Sequence, residues 1–191
     1  MLALVLGQGR APAAEQPGEA PAAVPLPAAP HSAALTGTAL ALAVPAGWGV
    51  EREVAGAVVV LRSPPPASGQ AADPAQAWAR GVVSASVERR SPDETPAAYA
   101  AHCRADLERT GTDVTIDEQG DEQLAGHPWV RLSYRMAIGQ FSVRQVLRST
   151  VIDGTGICVV CASGDAHFAD WQTDFAAIIA GLGRSRPELA P

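Results

Sequence analysis

With 191 residues, 47% of them apolar and 18% charged, the chain has the length of one domain plus an appendage and enough apolar material for a real core. The net charge of -6 excludes the basic surplus on which non-specific nucleic-acid binding depends. All 14 basic residues are arginine, which a GC-rich coding bias explains, since Ala, Gly and Pro are in excess with it.

The chain opens on MLALVLG, an apolar segment with no basic residue before it. It reads either as the end of a signal segment whose upstream half is missing, with Ala11-Pro12-Ala13 at the place of a small-residue cleavage site, or as a frayed terminus. From Ala11 to Ala34 ten Ala and six Pro accompany two acidic residues, Glu15 and Glu19. Proline at this density continues neither helix nor sheet, so residues 1–34 are expected to form a leader and a semi-extended linker. No segment approaches the roughly 18 apolar residues that cross a bilayer as a helix.

A single domain is expected over residues 35–183. Thr38, Leu40, Leu42 and Val44 alternate with small residues, predicting a strand that Pro45-Ala46-Gly47 ends before Trp48. Val54 to Leu61 predicts a second, mostly buried strand, and Gly81 to Glu88 a third after a Pro/Gly/Ala-rich loop over Ser63 to Gln76. Thr95-Pro96 is an N-cap and first-turn pair. Tyr99, Cys103 and Leu107 then recur every four residues, predicting a helix to about Thr110. Val114 and Ile116 predict a short strand, followed by an acidic turn holding Asp117, Glu118, Asp121 and Glu122.

The clearest hairpin follows. Val130, Leu132, Tyr134 and Met136 alternate with polar or charged residues. A turn at Ile138-Gly139 would set Met136 opposite Phe141, Tyr134 opposite Val143 and Val130 opposite Leu147, so that the apolar faces coincide. Asp153-Gly154-Thr155-Gly156 is a turn by composition, leading into the apolar run Ile157 to Ala162. Phe168, Trp171, Phe175, Ile178 and Leu182 mark a closing helix that stops at Gly183. Residues 184–191 carry no pattern and are expected to be a disordered tail.

This order of elements resembles the PsbP/DcrB-like superfamily, to which the Mog proteins also belong. The resemblance runs from about Leu35 to Gly183 and rests on Val44-Pro45-Ala46-Gly47-Trp48, on the Gly126-His127-Pro128 turn that opens a long strand, and on the Phe168 to Leu182 helix after an apolar strand. It implies an α+β fold, an antiparallel β-sheet packed by helices in a PsbP/Mog-like α/β/α sandwich. It also implies a non-enzymatic role, as in envelope lipoproteins, a photosystem accessory subunit and chaperone-like adaptors. Fold alone leaves the activity open within that class. The lipobox cysteine of the lipoprotein relatives has no counterpart before Cys103.

No residue pattern assembles a catalytic site, a cofactor site or a metal site. His102 adjoins Cys103, but neighbours on a helix point about 100° apart, and Cys103 lies on the apolar stripe as a small hydrophobe. His102 and Asp106 have the spacing of a surface pair. His31, His127 and His167 are scattered, and the acidic group lacks the spacing of a calcium loop. Cys158-Val159-Val160-Cys161 looks like a dithiol, yet on a strand residues three apart face opposite ways. Two cysteines of an odd set of three therefore stay buried apart, and the sequence leaves open whether either of them reaches Cys103.

The hairpin arginines are the strongest binding candidate. In the expected register Arg131, Arg135, Arg144 and Arg148 share a face with Trp129, with Arg144 across from Ser133 and Arg148 facing Trp129 in cation–π range. Arg and Trp are the residue types enriched at binding hot spots. The expected function is an exported binding or accessory protein, periplasmic or cell-envelope, meeting a protein or an anionic envelope component through this face. A cytoplasmic adaptor or chaperone for a secreted effector is the alternative, and a small hydrolase or redox protein comes third.

Overall fold

The computed structural model describes residues 31–54, 56–65 and 78–184, so the leader, most of the linker and the tail lie outside the described residues. The elements are β1 (His31–Ala34), β2 (Leu40–Val44), β3 (Gly49–Val54), β4 (Ala57–Arg62), β5 (Val82–Arg89), α1 (Pro96–Thr110), β6 (Thr112–Leu124), β7 (His127–Ile138), β8 (Phe141–Ile152) and β9 (Thr155–Gly164). A 3₁₀ segment (Asp165–Trp171), α2 (Gln172–Ala180) and β10 (Gly183–Arg184) complete the set.

Seven strands form one antiparallel sheet in the order β3-β4-β5-β9-β8-β7-β6, and β1-β2-β10 form a smaller one. β9 is the central strand of the large sheet, and its residues from Gly156 to Cys161 are all buried. An apolar run with no polar alternation is what a strand covered on both faces requires. Helix α1 covers one face, where Tyr99, Cys103 and Leu107 pack on Leu132, Tyr134, Leu147, Cys158 and Val160. The small sheet, the 3₁₀ segment and α2 cover the other, where Leu42, Phe168, Phe175 and Ile178 pack with Val59, Trp129, Val159 and Cys161. The result is the expected α+β sandwich with an antiparallel sheet in the middle.

Thr95 caps α1 as its sequence position predicts: its hydroxyl accepts from the Ala98 amide at 3.1 Å, and Pro96 follows at the first helical position. Gly81 is required by packing, because a Cβ there would stand 2.9 Å from the Trp171 ring and 3.0 Å from Trp48.

Four expectations are corrected. His31–Ala34, read as the end of the linker, pairs with β2 along its length. The stretch read as one strand from Val54 to Leu61 is the second arm of a hairpin, with β3 before it. The acidic turn is no turn, because Asp117, Glu118, Asp121 and Glu122 all lie on the 13-residue strand β6, and the reversal comes at Ala125-Gly126, both with positive φ. The β7–β8 turn is Gly139-Gln140, with Ile138 opposite Phe141, Met136 opposite Val143, Tyr134 opposite Gln145 and Leu132 opposite Leu147. Moving each partner two residues along keeps every side chain on its expected face, because strand periodicity is two. It changes which arginines meet.

Candidate functional site

In the observed register Arg131 stands directly opposite Arg148, and Arg135 directly opposite Arg144. Like charges in opposed positions destabilise a sheet unless something neutralises them. Strand β6 does so. Arg131 pairs with Glu118, Arg148 Nε lies 2.8 Å from Glu122 Oε1, and Arg135 pairs with Asp117 at 2.8 Å. The Arg148–Glu122 contact is an ion pair whose N–H is not aimed at the oxygen, since neither atom makes a hydrogen bond.

A bulge makes this neutralisation work. The β6–β7 register shifts between Ile116 and Glu118, so two residues of β6 stand against one of β7. Beyond the shift Glu118 lies opposite Ser133, on the face of the arginines, and Asp117 next to it reaches Arg135. Two consecutive carboxylates thereby serve one face, which an unbulged strand cannot arrange. The Arg135 guanidinium hydrogen-bonded to Asp117 holds that carboxyl below the usual aspartate range, and Asp117 in turn raises Arg135.

The four arginines thus divide into two pairs of different character. The inner pair, Arg131 and Arg148, has one carboxylate each. In the outer pair Arg135 is ion-paired to Asp117, and Arg144 attracts the same carboxylate at longer range, with Asp165 adding a weaker attraction on Arg135. Arg144 lies with its guanidinium 5.3 Å from the centre of the Phe168 ring, and its buried Nε–H has no acceptor among the described residues. Beside the outer pair, at the β7–β8 tip, a cleft of about 330 Å³ is lined by Thr115, Arg135, Gln140, Phe141 and Ser142 among others.

Trp129 does not join this surface. It is 1% exposed, packs in the core under β2 and α2, and donates its indole N–H to the Leu124 carbonyl at 3.1 Å. The cation–π contact expected between Arg148 and Trp129 is replaced by the one between Arg144 and Phe168. The residues that sequence reasoning missed are Asp117, Glu118 and Glu122 as partners of the ladder. Their signal was present: Leu124-Ala125-Gly126-His127 is a two-residue hairpin junction, which makes 112–124 a strand antiparallel to β7.

A second cluster lies on the opposite face of the sheet. Arg90 hydrogen-bonds Glu94 at 2.7 Å and stacks 5.0 Å from the Tyr99 ring centre, and His102 Nδ1 lies 2.9 Å from Glu94 Oε1. Asp106, expected beside His102, takes Arg109 at 2.8 Å. Arg90, His102 and Asp106 rim a cavity of about 180 Å³ whose wall includes Ser86, Tyr99 and Cys103. Among the described residues, no group of three or more His, Cys, Asp or Glu side chains is placed to hold a metal ion.

Neither a protein-family model nor a curated protein matches the sequence. Solved structures do match. LpqN of Mycobacterium tuberculosis, involved in cell envelope biogenesis, superposes with a TM-score of 0.60 at 14% identity, covering 77% of this chain and 83% of its own. The cyanobacterial PsbP (CyanoP) of Synechocystis sp. PCC 6803 gives 0.56 at 12%, covering 82% and 92%. PA94 of Pseudomonas aeruginosa, a protein of unknown function, gives 0.55 at 16%, covering 83% and 98%. These likenesses, which cover 83–98% of each neighbour, show that this chain, with its seven-stranded sheet between α1 and α2, has the PsbP/DcrB-like fold.

Proposed function

We propose that this chain is a non-enzymatic binding or accessory protein that works outside the cytoplasm, in the periplasm or cell envelope. Its contact surface in this reading is the outer arginine pair, Arg135 and Arg144, with the cleft at the β7–β8 tip, and its partner is a protein segment bearing carboxylates. The observation that carries the reading is the uneven neutralisation of the ladder: the inner pair is matched one to one, while Arg144 has no ion-pair partner of its own among the described residues. An arginine fork held in place by an aromatic ring is suited to take a partner's carboxylate in two hydrogen bonds. The neighbours in fold support the location, one being a cell-envelope biogenesis protein and one a PsbP. Among the described residues, no helix is long and apolar enough to cross a membrane.

The test places a photoreactive residue at Gln140, at the cleft mouth, in the chain expressed in its own cells. The expected result is a cross-linked adduct of defined protein mass in the extracytoplasmic fraction. Arg135→Ser with Arg144→Ser should abolish it at unchanged Tm, whereas Arg131→Ser should retain it. An adduct that survives the outer-pair substitutions refutes the surface, a lipid or polysaccharide adduct assigns it to an anionic envelope component, and a wholly cytoplasmic protein refutes export.

A further inference from the structure

The dithiol suggested by the sequence run from Cys158 to Cys161 is not the pair that the fold brings together. Cys158 faces α1, in the cluster that holds Cys103, Tyr99 and Leu107. Cys161 faces the other way, beside Trp129 and Ile178, and burial pushes its thiol up to about 12. The three thiols are free in this structure. We infer that Cys103 and Cys158 form a peroxide-responsive thiol pair, in which Cys103 is oxidised from the cavity beside α1 and Cys158 closes the disulfide.

Three observations support this assignment of roles. Cys103 is part of the wall of the 180 Å³ cavity, together with Glu88, Arg90 and His102. Cys158 is not part of that wall: it sits on the central strand, opposite Ser86 of β5 and Ser149 of β8, and is 1% exposed. The two thiols lie in one buried cluster between α1 and the central strand. The hydrogen bond from Cys158 draws the Cys103 thiol below its ordinary value against the opposing effect of burial, and the same contact with burial drives Cys158 well above. The thiolate is the reactive form, so the cavity-lining sulfur is the attacking one and the fully buried sulfur the resolving one. A cavity of this size admits hydrogen peroxide and is too small for a tripeptide disulfide.

The chemistry balances with one peroxide. Cys103 sulfur attacks one peroxide oxygen, the O–O bond breaks, and the thiol proton passes to the leaving hydroxide, giving a sulfenic acid and water. Cys158 sulfur then attacks Cys103 sulfur. The S–O bond breaks, the S–S bond forms, and hydroxide leaves with the Cys158 proton as a second water. Two thiols supply the two electrons that reduce the peroxide. The product ties α1 to the central strand, across a loop that includes β6, β7 and β8.

The experiment treats the reduced full-length chain with hydrogen peroxide, quenches it, and counts thiols in denaturant. The expected count falls from three to one per chain, with a non-reducing digest linking the Cys103 and Cys158 peptides. Cys161→Ser should form the bridge at an unchanged rate, and Cys158→Ser should leave Cys103 as a sulfenic acid that dimedone traps. Three thiols remaining after treatment, a bridge that includes Cys161, or only intermolecular disulfides would each overturn the inference. Oxidised glutathione in place of peroxide should leave all three thiols free. Bridging by glutathione at a rate equal to that of peroxide would overturn the cavity route.

Discussion

Glu122→Gln tests whether the ladder is held together by β6. The change keeps the shape of the side chain and removes the carboxylate beside Arg148. The two side chains retain 15% and 25% exposure, so the pair lies between an exposed one, worth about 0–1 kcal/mol, and a fully buried one, whose breakage costs about 3–5 kcal/mol. Arg131 directly opposite makes the loss worse. Two unit charges about 6 Å apart in an effective dielectric of about 20 repel by ~3 kcal/mol, and Glu118 on Arg131 offsets part of this. The expected loss is about 2 kcal/mol, a fall in Tm of roughly 4–8 °C for a domain of this length.

The assay is urea unfolding of the wild type, Glu122→Gln, Arg148→Met and the double variant. Removing Arg148 also removes the charge that Glu122 neutralises, so the double variant should be little worse than Arg148→Met alone, with a coupling of about 1–2 kcal/mol. Added salt screens the Arg131–Arg148 repulsion and should shrink the Glu122→Gln loss. Losses that add to within about 0.5 kcal/mol, or a Glu122→Gln effect indifferent to salt, would refute the account of the ladder.

Two further predictions concern single groups. The Asp117 carboxyl is held below its unfolded value by Arg135, so its stabilisation is complete above the ordinary aspartate pKa of about 4 and is lost as pH falls through the lower folded value. Asp117→Asn should therefore lower Tm at neutral pH and converge on the wild type in acid, and a gap that widens on acidification would contradict this. The Tyr134 hydroxyl donates to Gln145 Oε1 at 2.8 Å, with both residues 0% exposed. Tyr134→Phe leaves that buried oxygen without its donor and should cost about 1–3 kcal/mol in urea unfolding, and a loss under about 0.5 kcal/mol would show that the oxygen finds another partner.

What the sequence made legible follows the apolar pattern. β9, the apolar side of β7 and the Tyr99-Cys103-Leu107 stripe were all readable, because residues buried on one or both faces leave a period of two or of four in the chain. In the large sheet, the strands that escaped are β3 and the greater part of β6, its two edges. Edge strands are half solvated and carry charge against further pairing, so most of Gly49–Val54 carried no strand pattern, and β6 read as a short strand at Val114 and Ile116 followed by an acidic turn. The arginine candidates fared accordingly. All four lie on one face as expected, but Trp129 belongs to the core, since that face is itself covered where α2 and the small sheet cross it.

By itself, then, the sequence determined the capped helix, the buried apolar strand and the opposed facing of Cys158 and Cys161, and its resemblance to a known superfamily implied the fold class. The local features depend only on periodicity and capping chemistry. Tertiary structure alone decided which arginines meet, which carboxylates neutralise them, and that Cys158 rather than Cys161 meets Cys103. Those facts depend on hairpin register, on a one-residue bulge and on which helix packs on which face. Such choices are made between segments far apart in the chain, where no local pattern records them.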